Sequence, residues 1–284
     1  SEDGGATWST SNQKANPNAE LKDAAIGNSV IFGSYELDDI YDNGKEELEW
    51  IVLDRVGDKV LLLAKYGVFL NKYDSDFFHE VTWEDSFLRG WLQKRFYADA
   101  FTAAERAMIE KTVIHTPNAN GEDVVSEDYV FLLSASEATN GKAQNGTPYF
   151  TGDSDRALVP AARVLLDGSL EGDMEGTVWH GPTCVWWLRS AGSPNQRTAV
   201  VNRDGSISEE GMLYYAHDVA IRPAVWVDVS SLPETGNTSE KGNEGSSQKA
   251  GKLTERIENT KISIAIGDEY AAYLDEDGML YVLY

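Results

Sequence analysis

From Ser29 onward the apolar residues fall in short extended runs: Val30-Ile31-Phe32, then Glu49 to Leu53, then Lys59 to Ala64. Asn43-Gly44 and Val56-Gly57-Asp58 supply turn chemistry between them, so the last two runs predict a hairpin with Gly57-Asp58 at its tip. The period then lengthens. Leu88, Trp91, Leu92 and Phe96 share one face at helical spacing, behind Thr82-x-x-Asp85, a capping-box-like start. Thr102-x-x-Glu105 predicts a second helix with Met108, Ile109 and Val113 on its apolar side. Ser134-x-x-Glu137 predicts a shorter third helix, stopped by Gly141.

Between Asn140 and Thr183 glycine and proline punctuate the chain, and a long irregular stretch of this kind predicts functional or mobile loops. Two apolar runs with an arginine set into each follow: Cys184-Val-Trp-Trp-Leu-Arg189-Ser190 and Ala220-Ile-Arg222-Pro-Ala-Val-Trp-Val227. A guanidinium in such a run is costly unless a carboxylate or carbonyls meet its donors. Arg189 and Arg222 are therefore expected to be buried anchors on neighbouring strands. Glu137 is the expected partner, because a short helix after a strand can aim it at the sheet.

Composition then sets the boundaries. Residues 1–25 are polar and read as an N-terminal tail, with Trp8 the exception. Residues 26–229 form the main domain, and 230–251 a Gly/Ser-rich flexible linker. Residues 252–284 hold three short strand patterns with Asp277-Gly278 as a turn, a small β unit that resembles a partial propeller repeat of the chromosome-condensation-regulator type. Such a unit cannot bury its face alone, so it is expected either to dock or to continue beyond Tyr284. The start at Ser1 carries the expectation of a leader upstream.

The formal charge of −23, from 47 acidic against 24 basic residues, opposes nucleic acid and anionic lipid. No apolar run is long enough to span a bilayer, so membrane insertion is not expected. Cys184 is the only cysteine, so neither an internal disulfide nor a thiolate metal cluster can form, and within an apolar strand it reads as an inert buried thiol.

The ordered set Gly27 to Tyr35, Glu49 to Asp54, Leu61 to Tyr66, Thr82-Trp-Glu-Asp-Ser86, Leu88-Arg-Gly-Trp-Leu92, Phe131-Leu-Leu-Ser134, Trp187-Leu-Arg-Ser190 and Arg222-Pro-Ala224 resembles an uncharacterised family of bacterial domains. Its members occur in secreted, multi-domain proteins of anaerobic gut bacteria. The family is similar to the C-type-lectin-like fold shared by retroelement-diversified binding proteins and the formylglycine-generating enzymes. The resemblance implies an α+β, C-type-lectin-like domain over 26–229, with a twisted antiparallel sheet, two to three helices and long loops. It also implies an extracellular or cell-surface location. The thiol chemistry of the formylglycine-generating enzymes does not carry over to a chain with Cys184 alone.

No catalytic motif stands out. His79, His115, His180 and His217 share no metal-ligand spacing, and neither a nucleophile elbow nor a phosphate loop is present. No cofactor is expected. Calcium through Asp153, Asp155, Asp167, Glu171 or Asp173 is the alternative to a solvated acidic loop, and the solvated loop is preferred. Leu232-Pro-Glu-Thr-Gly236 matches the sortase pentapeptide, but polar linker follows where a membrane-length apolar segment is needed, so it reads as a chance match on exposed backbone.

The expected function is non-enzymatic recognition of a surface glycan or protein. Its candidate ligand-binding residues are Gln196 and Arg197 after Pro194, and Tyr214, Tyr215 and His217 before the last strand. A packed β edge is the competing reading of the tyrosines. A carbohydrate-active hydrolase using paired carboxylates and a structural spacer are the alternatives to recognition.

Overall fold

The computed structural model describes residues 19–76, 79–170, 182–193 and 196–232, with strands at 263–266, 270–274 and 280–283. The chain divides into two units, Ser1–Thr235 and Gly236–Tyr284. The first is α+β, built on two main sheets that are largely antiparallel.

One sheet is the meander β1 (Ser29–Tyr35), β2 (Glu46–Val56) and β3 (Lys59–Ala64), closed by β11 (Ala224–Asp228) beside β3. The β2–β3 hairpin turns at Gly57-Asp58, with Val56 opposite Lys59. The second sheet has the order β4 (Phe69–Leu70), β10 (Ala220–Ile221), β7 (Trp186–Ala191), β8 (Arg197–Val201) and β9 (Ile207–Leu213). Its β10–β7 pairing is parallel and the others are antiparallel. The run Ala220 to Val227, expected as one strand, is two: Arg222-Pro223 carries the chain from one sheet to the other. Proline has no amide hydrogen to continue a ladder, and here its carbonyl accepts from Ala64 N at 2.9 Å.

The first helical block is α2 (Phe87–Trp91), a π-helical turn Leu92–Phe96 and α3 (Tyr97–Ala100). It starts later than the spacing predicts. Ser86 is the cap, its Oγ accepting from Arg89 N at 3.1 Å, while Thr82 and Asp85 close a turn ahead of it. Leu88, Leu92 and Phe96 are the buried face. β1 runs tight against the end of α3: a Cβ on Gly33 would lie 2.6 Å from Ala100 O, and its φ of +78° also favours glycine.

Both other capping boxes form, Thr102 with Glu105 ahead of α4 (Ala103–Met108) and Ser134 with Glu137 ahead of α5 (Ala135–Asn140). Val113, expected on the face of α4, instead lies in the hairpin β5 (Thr112–Pro117) and β6 (Asp123–Asp128) and is 53 % exposed. The helix stops at Met108, because Ile109 turns extended and bridges to Val227. Two short helices, α6 (Asp153–Arg156) and α7 (Ala162–Leu170), interrupt the glycine-rich stretch.

Trp50, Trp83, Trp186 and Trp187 are the largest core side chains. Each indole N–H has an acceptor: Phe32 O at 2.7 Å, Asp128 Oδ2 at 2.7 Å, Arg156 O at 3.1 Å and Asn71 O at 2.8 Å respectively. These bonds place the polar edge of each ring without leaving an unpaired buried donor.

Core packing reaches past both ends of 26–229. Leu21 and Ala24, in the segment expected to be tail, are buried, and α1 (Ala19–Asp23) packs beside β1. Leu232, expected on exposed linker, is 9 % exposed, and its carbonyl accepts from Lys22 Nζ at 2.7 Å. An apolar side chain one turn beyond Val229 finds the core still open, so the packed body runs through residue 232. The rest of the linker, from 233 to 251, and Trp8 lie outside the described residues.

In the second unit, β12 (Ser263–Ile266), β13 (Tyr270–Leu274) and β14 (Leu280–Leu283) form an antiparallel meander. Among the described residues no helix is long and apolar enough to cross a membrane.

Candidate functional site

The five residues expected to contact a ligand come from the end of the second sheet where β8 and β9 meet the turn before β10. Arg197 pairs with Leu213 across the ladder, and Gln196 O accepts from Tyr214 N at 3.1 Å, so the two segments are joined. Gln196 sits at φ +73°, a left-handed turn that a side chain adopts at some cost. Arg197 Nη1 donates to Gly211 O at 2.7 Å, and Glu210 lies 3.9 Å away. Pro194 lies outside the described residues.

Tyr214 does not face a ligand. It is 1 % exposed, stacks on Tyr73 with centroids 5.7 Å apart, and its hydroxyl bonds with Val81 N and O at 3.3 Å. Burial raises its pKa, so the hydroxyl stays neutral. Its carbonyl accepts from both Tyr73 N and Asp74 N, and Val219 O accepts from Asn71 N, which stitches 214–219 onto 71–74. Tyr214 is thus the root of the turn that carries Tyr215, half-buried, and His217, exposed. The next segment adds Phe87, which the sequence reading did not single out. It is 45 % exposed, its amide donates to Asp74 Oδ2 at 2.7 Å, and Lys72 Nζ lies 5.7 Å from its ring centroid. Its signal was faint, an aromatic one residue off the apolar stripe of a helix.

Arg189, in β7, and Arg222, which lies not on a strand as expected but at the crossover between the two sheets, are both buried. Arg189 is 4 % exposed; it meets both carboxylate oxygens of Glu137, and donates to Leu132 O at 2.7 Å and Thr116 Oγ1 at 3.0 Å. Burial pushes the Glu137 carboxyl up, but the Arg189 charge and bonds from Arg189 and Ser134 outweigh it, and the net pKa is lowered. Arg222, 2 % exposed, takes another route. Its Nε donates to Ala64 O at 2.9 Å, and its guanidinium lies 5.0 Å from the Trp186 ring and 5.7 Å from Phe150. Burial lowers its pKa to about 10, so it remains a cation held by carbonyls and π faces. Burial also pushes Cys184 up to about 12, as expected of an inert thiol.

A third polar anchor went unseen in the sequence. Asp128 is fully buried and accepts from Trp83 Nε1, from Ser126 Oγ at 2.9 Å and from Arg89 Nε at 2.5 Å. The tryptophan of Thr82–Ser86 and the arginine of Leu88–Leu92 thus share one carboxylate, which explains why those two short motifs come together.

Acidic groups divide by environment. Asp155 accepts from Thr151 N at 2.9 Å and from its hydroxyl, while Asp153 pairs with Arg156, so both are engaged locally. The Asp167 side chain, Glu171 and Asp173 lie outside the described residues. Glu36, Asp38 and Glu46, by contrast, offer one oxygen each within 4.8 Å of one another. The available signal was Glu36-x-Asp38 facing Glu46 across an Asn-Gly turn, which only the strand register could join.

No curated protein and no solved structure matches the chain. A family model described as Domain of unknown function (DUF6273) matches residues 57–229, a stretch that holds the second sheet, the candidate surface and the polar anchors Asp128, Arg189 and Arg222. The chain belongs to that family.

Proposed function

We propose that the chain is a non-enzymatic recognition module for a surface glycan or protein, presented by a secreted or cell-surface bacterial protein. The observation that carries this reading is the turn 214–219, rooted through the buried Tyr214 while Tyr215 and His217 are held outside the core. The half-buried phenol ring of Tyr215 and the exposed imidazole of His217 on one turn offer flat apolar faces with polar tips, which suits sugars and peptide side chains. Placement on a rigid sheet end limits the ordering cost of binding. The −23 charge directs the surface toward neutral or basic ligands. The likeness to the C-type-lectin-like fold, read from the motifs, points the same way, since that fold binds through loops at one end of a sheet.

The test is a glycan array and a peptide array probed with the full chain, wild type and Tyr215→Ala/His217→Ala. Binding that falls at least tenfold in the double variant, with an unchanged melting temperature, supports the reading. Binding that the double variant retains would reject this surface. Release of reducing ends from a bound glycan would favour the hydrolase.

A further inference from the structure

The loop from β1 to β2 places three carboxylates together outside the family-matched segment. Glu36 follows the last residue of β1 and Glu46 opens β2, with Tyr35 opposite Glu46 in the ladder. Asp38 is brought back by the turn at Asp39, whose φ is +63°. The loop is ordered around the acids. Asp38 accepts from Ile40 N at 2.9 Å and Asn43 Nδ2 at 2.8 Å, and Glu46 Oε2 accepts from Leu37 N at 2.7 Å. Glu36 is 7 % exposed, and its Oε1 is buried with no hydrogen-bond partner. Desolvation, a hydrogen bond with Asp38 and the charges of Glu46 and Asp38 raise its pKa, while Arg163 opposes them. Arg163 Nη2 also lies 3.6 Å from Asp39, and its guanidinium 4.7 Å from the Phe69 ring centroid.

A buried carboxylate oxygen with no donor, on a side chain grouped with two further carboxylates, is costly as it stands. We propose that Glu36, Asp38 and Glu46 bind a divalent cation of the calcium type. The donors are all oxygen, the set that hard cations select and thiol- or imidazole-seeking metals do not. Oxygens sharing one calcium at about 2.3–2.6 Å stand at most about 5 Å apart, and these three fall within 4.8 Å. Magnesium at about 2.1 Å would draw them closer and demands octahedral geometry. Glu36 is buried while Asp38 and Glu46 are half-buried, so the two outer carboxylates reach solvent and an ion held there can keep water as remaining ligands. The bound ion would fix the β1–β2 connection and, through Leu37 O and Arg163 N at 2.7 Å, the start of α7.

The test is calorimetric titration of the EDTA-stripped full chain with calcium chloride, with melting curves alongside. We expect one saturable site and a melting temperature raised by about 5 °C at saturation. Glu36→Gln and Asp38→Asn should each abolish both; because they relieve like-charge repulsion, they should fold at least as well as wild type without the ion. A shift that persists in both variants would mean diffuse binding to an acidic surface and overturn the proposal. No saturable binding at about 10 mM calcium, above the range of extracellular calcium modules, would overturn it in favour of a proton shared by Glu36 and Asp38. An equal response to magnesium would overturn the calcium assignment.

Discussion

Arg189 shows how one residue can organise its neighbours. Its guanidinium ties β7 to the capping box of α5 through Glu137, which at the same time accepts from Ser134 N at 2.7 Å. Glu137→Gln should cost about 2 kcal/mol, the scale of a charged hydrogen bond lost at a buried cation. The value stays below that of a fully buried pair because 36 % of the Glu137 side chain is exposed and Arg189 keeps its carbonyl partners. The pH dependence has a definite sign. The Glu137 carboxyl titrates lower in the folded chain than in the unfolded one, so its contribution is present above the unfolded value of about 4.3 and is lost as pH falls through the folded value. Chemical denaturation of wild type and variant should therefore show a stability gap at pH 7 that narrows as the pH falls below about 4. At Cys184, 4 % exposed and with its pKa pushed up to about 12, a thiol reagent should react only on unfolding. Rapid modification of the native chain would contradict that.

At the scale of elements, the β5–β6 hairpin is pinned by its last residue. Asp128 draws Arg89 and Trp83 to it, so Asp128→Ala leaves a cation and an indole N–H without their acceptor. We expect a loss of about 3 kcal/mol, and local hydrogen exchange in 112–128 to rise ahead of the main sheets. The same elements show what the sequence could disclose. Arg189 and Arg222 were legible as buried anchors because a cation inside an apolar run has few alternatives, and the capping boxes at Thr102 and Ser134 because their chemistry is local. Asp128 was not, since a carboxylate at a strand end looks like any solvated acid until Arg89 arrives from 39 positions away. Nor was the break at Arg222-Pro223, where an unbroken apolar pattern conceals a change of sheet. Tyr214 and Tyr215 are adjacent with opposite fates, and only the register of β9 against β8 decides which ring goes inside.

For the whole molecule, the boundary of the first unit matters most. Leu232 closes the core, its amide donating to Val229 O and its carbonyl accepting from Lys22. Leu232→Ala should cost about 2 kcal/mol by lost burial. A sortase must extract that leucine to thread Leu232–Gly236, so cleavage of the native chain should run at least tenfold slower than that of a free peptide of the same sequence. Equal rates would place Leu232 outside the core. Hydrogen exchange with and without an array-selected ligand is the most direct test of ligand recognition at the surface rooted by Tyr214. We expect new protection in 213–219 and in the adjoining 71–76 and 86–88, with the remainder of 19–232 unchanged. Protection confined to other segments, or none in 213–219 at saturating ligand, would contradict it.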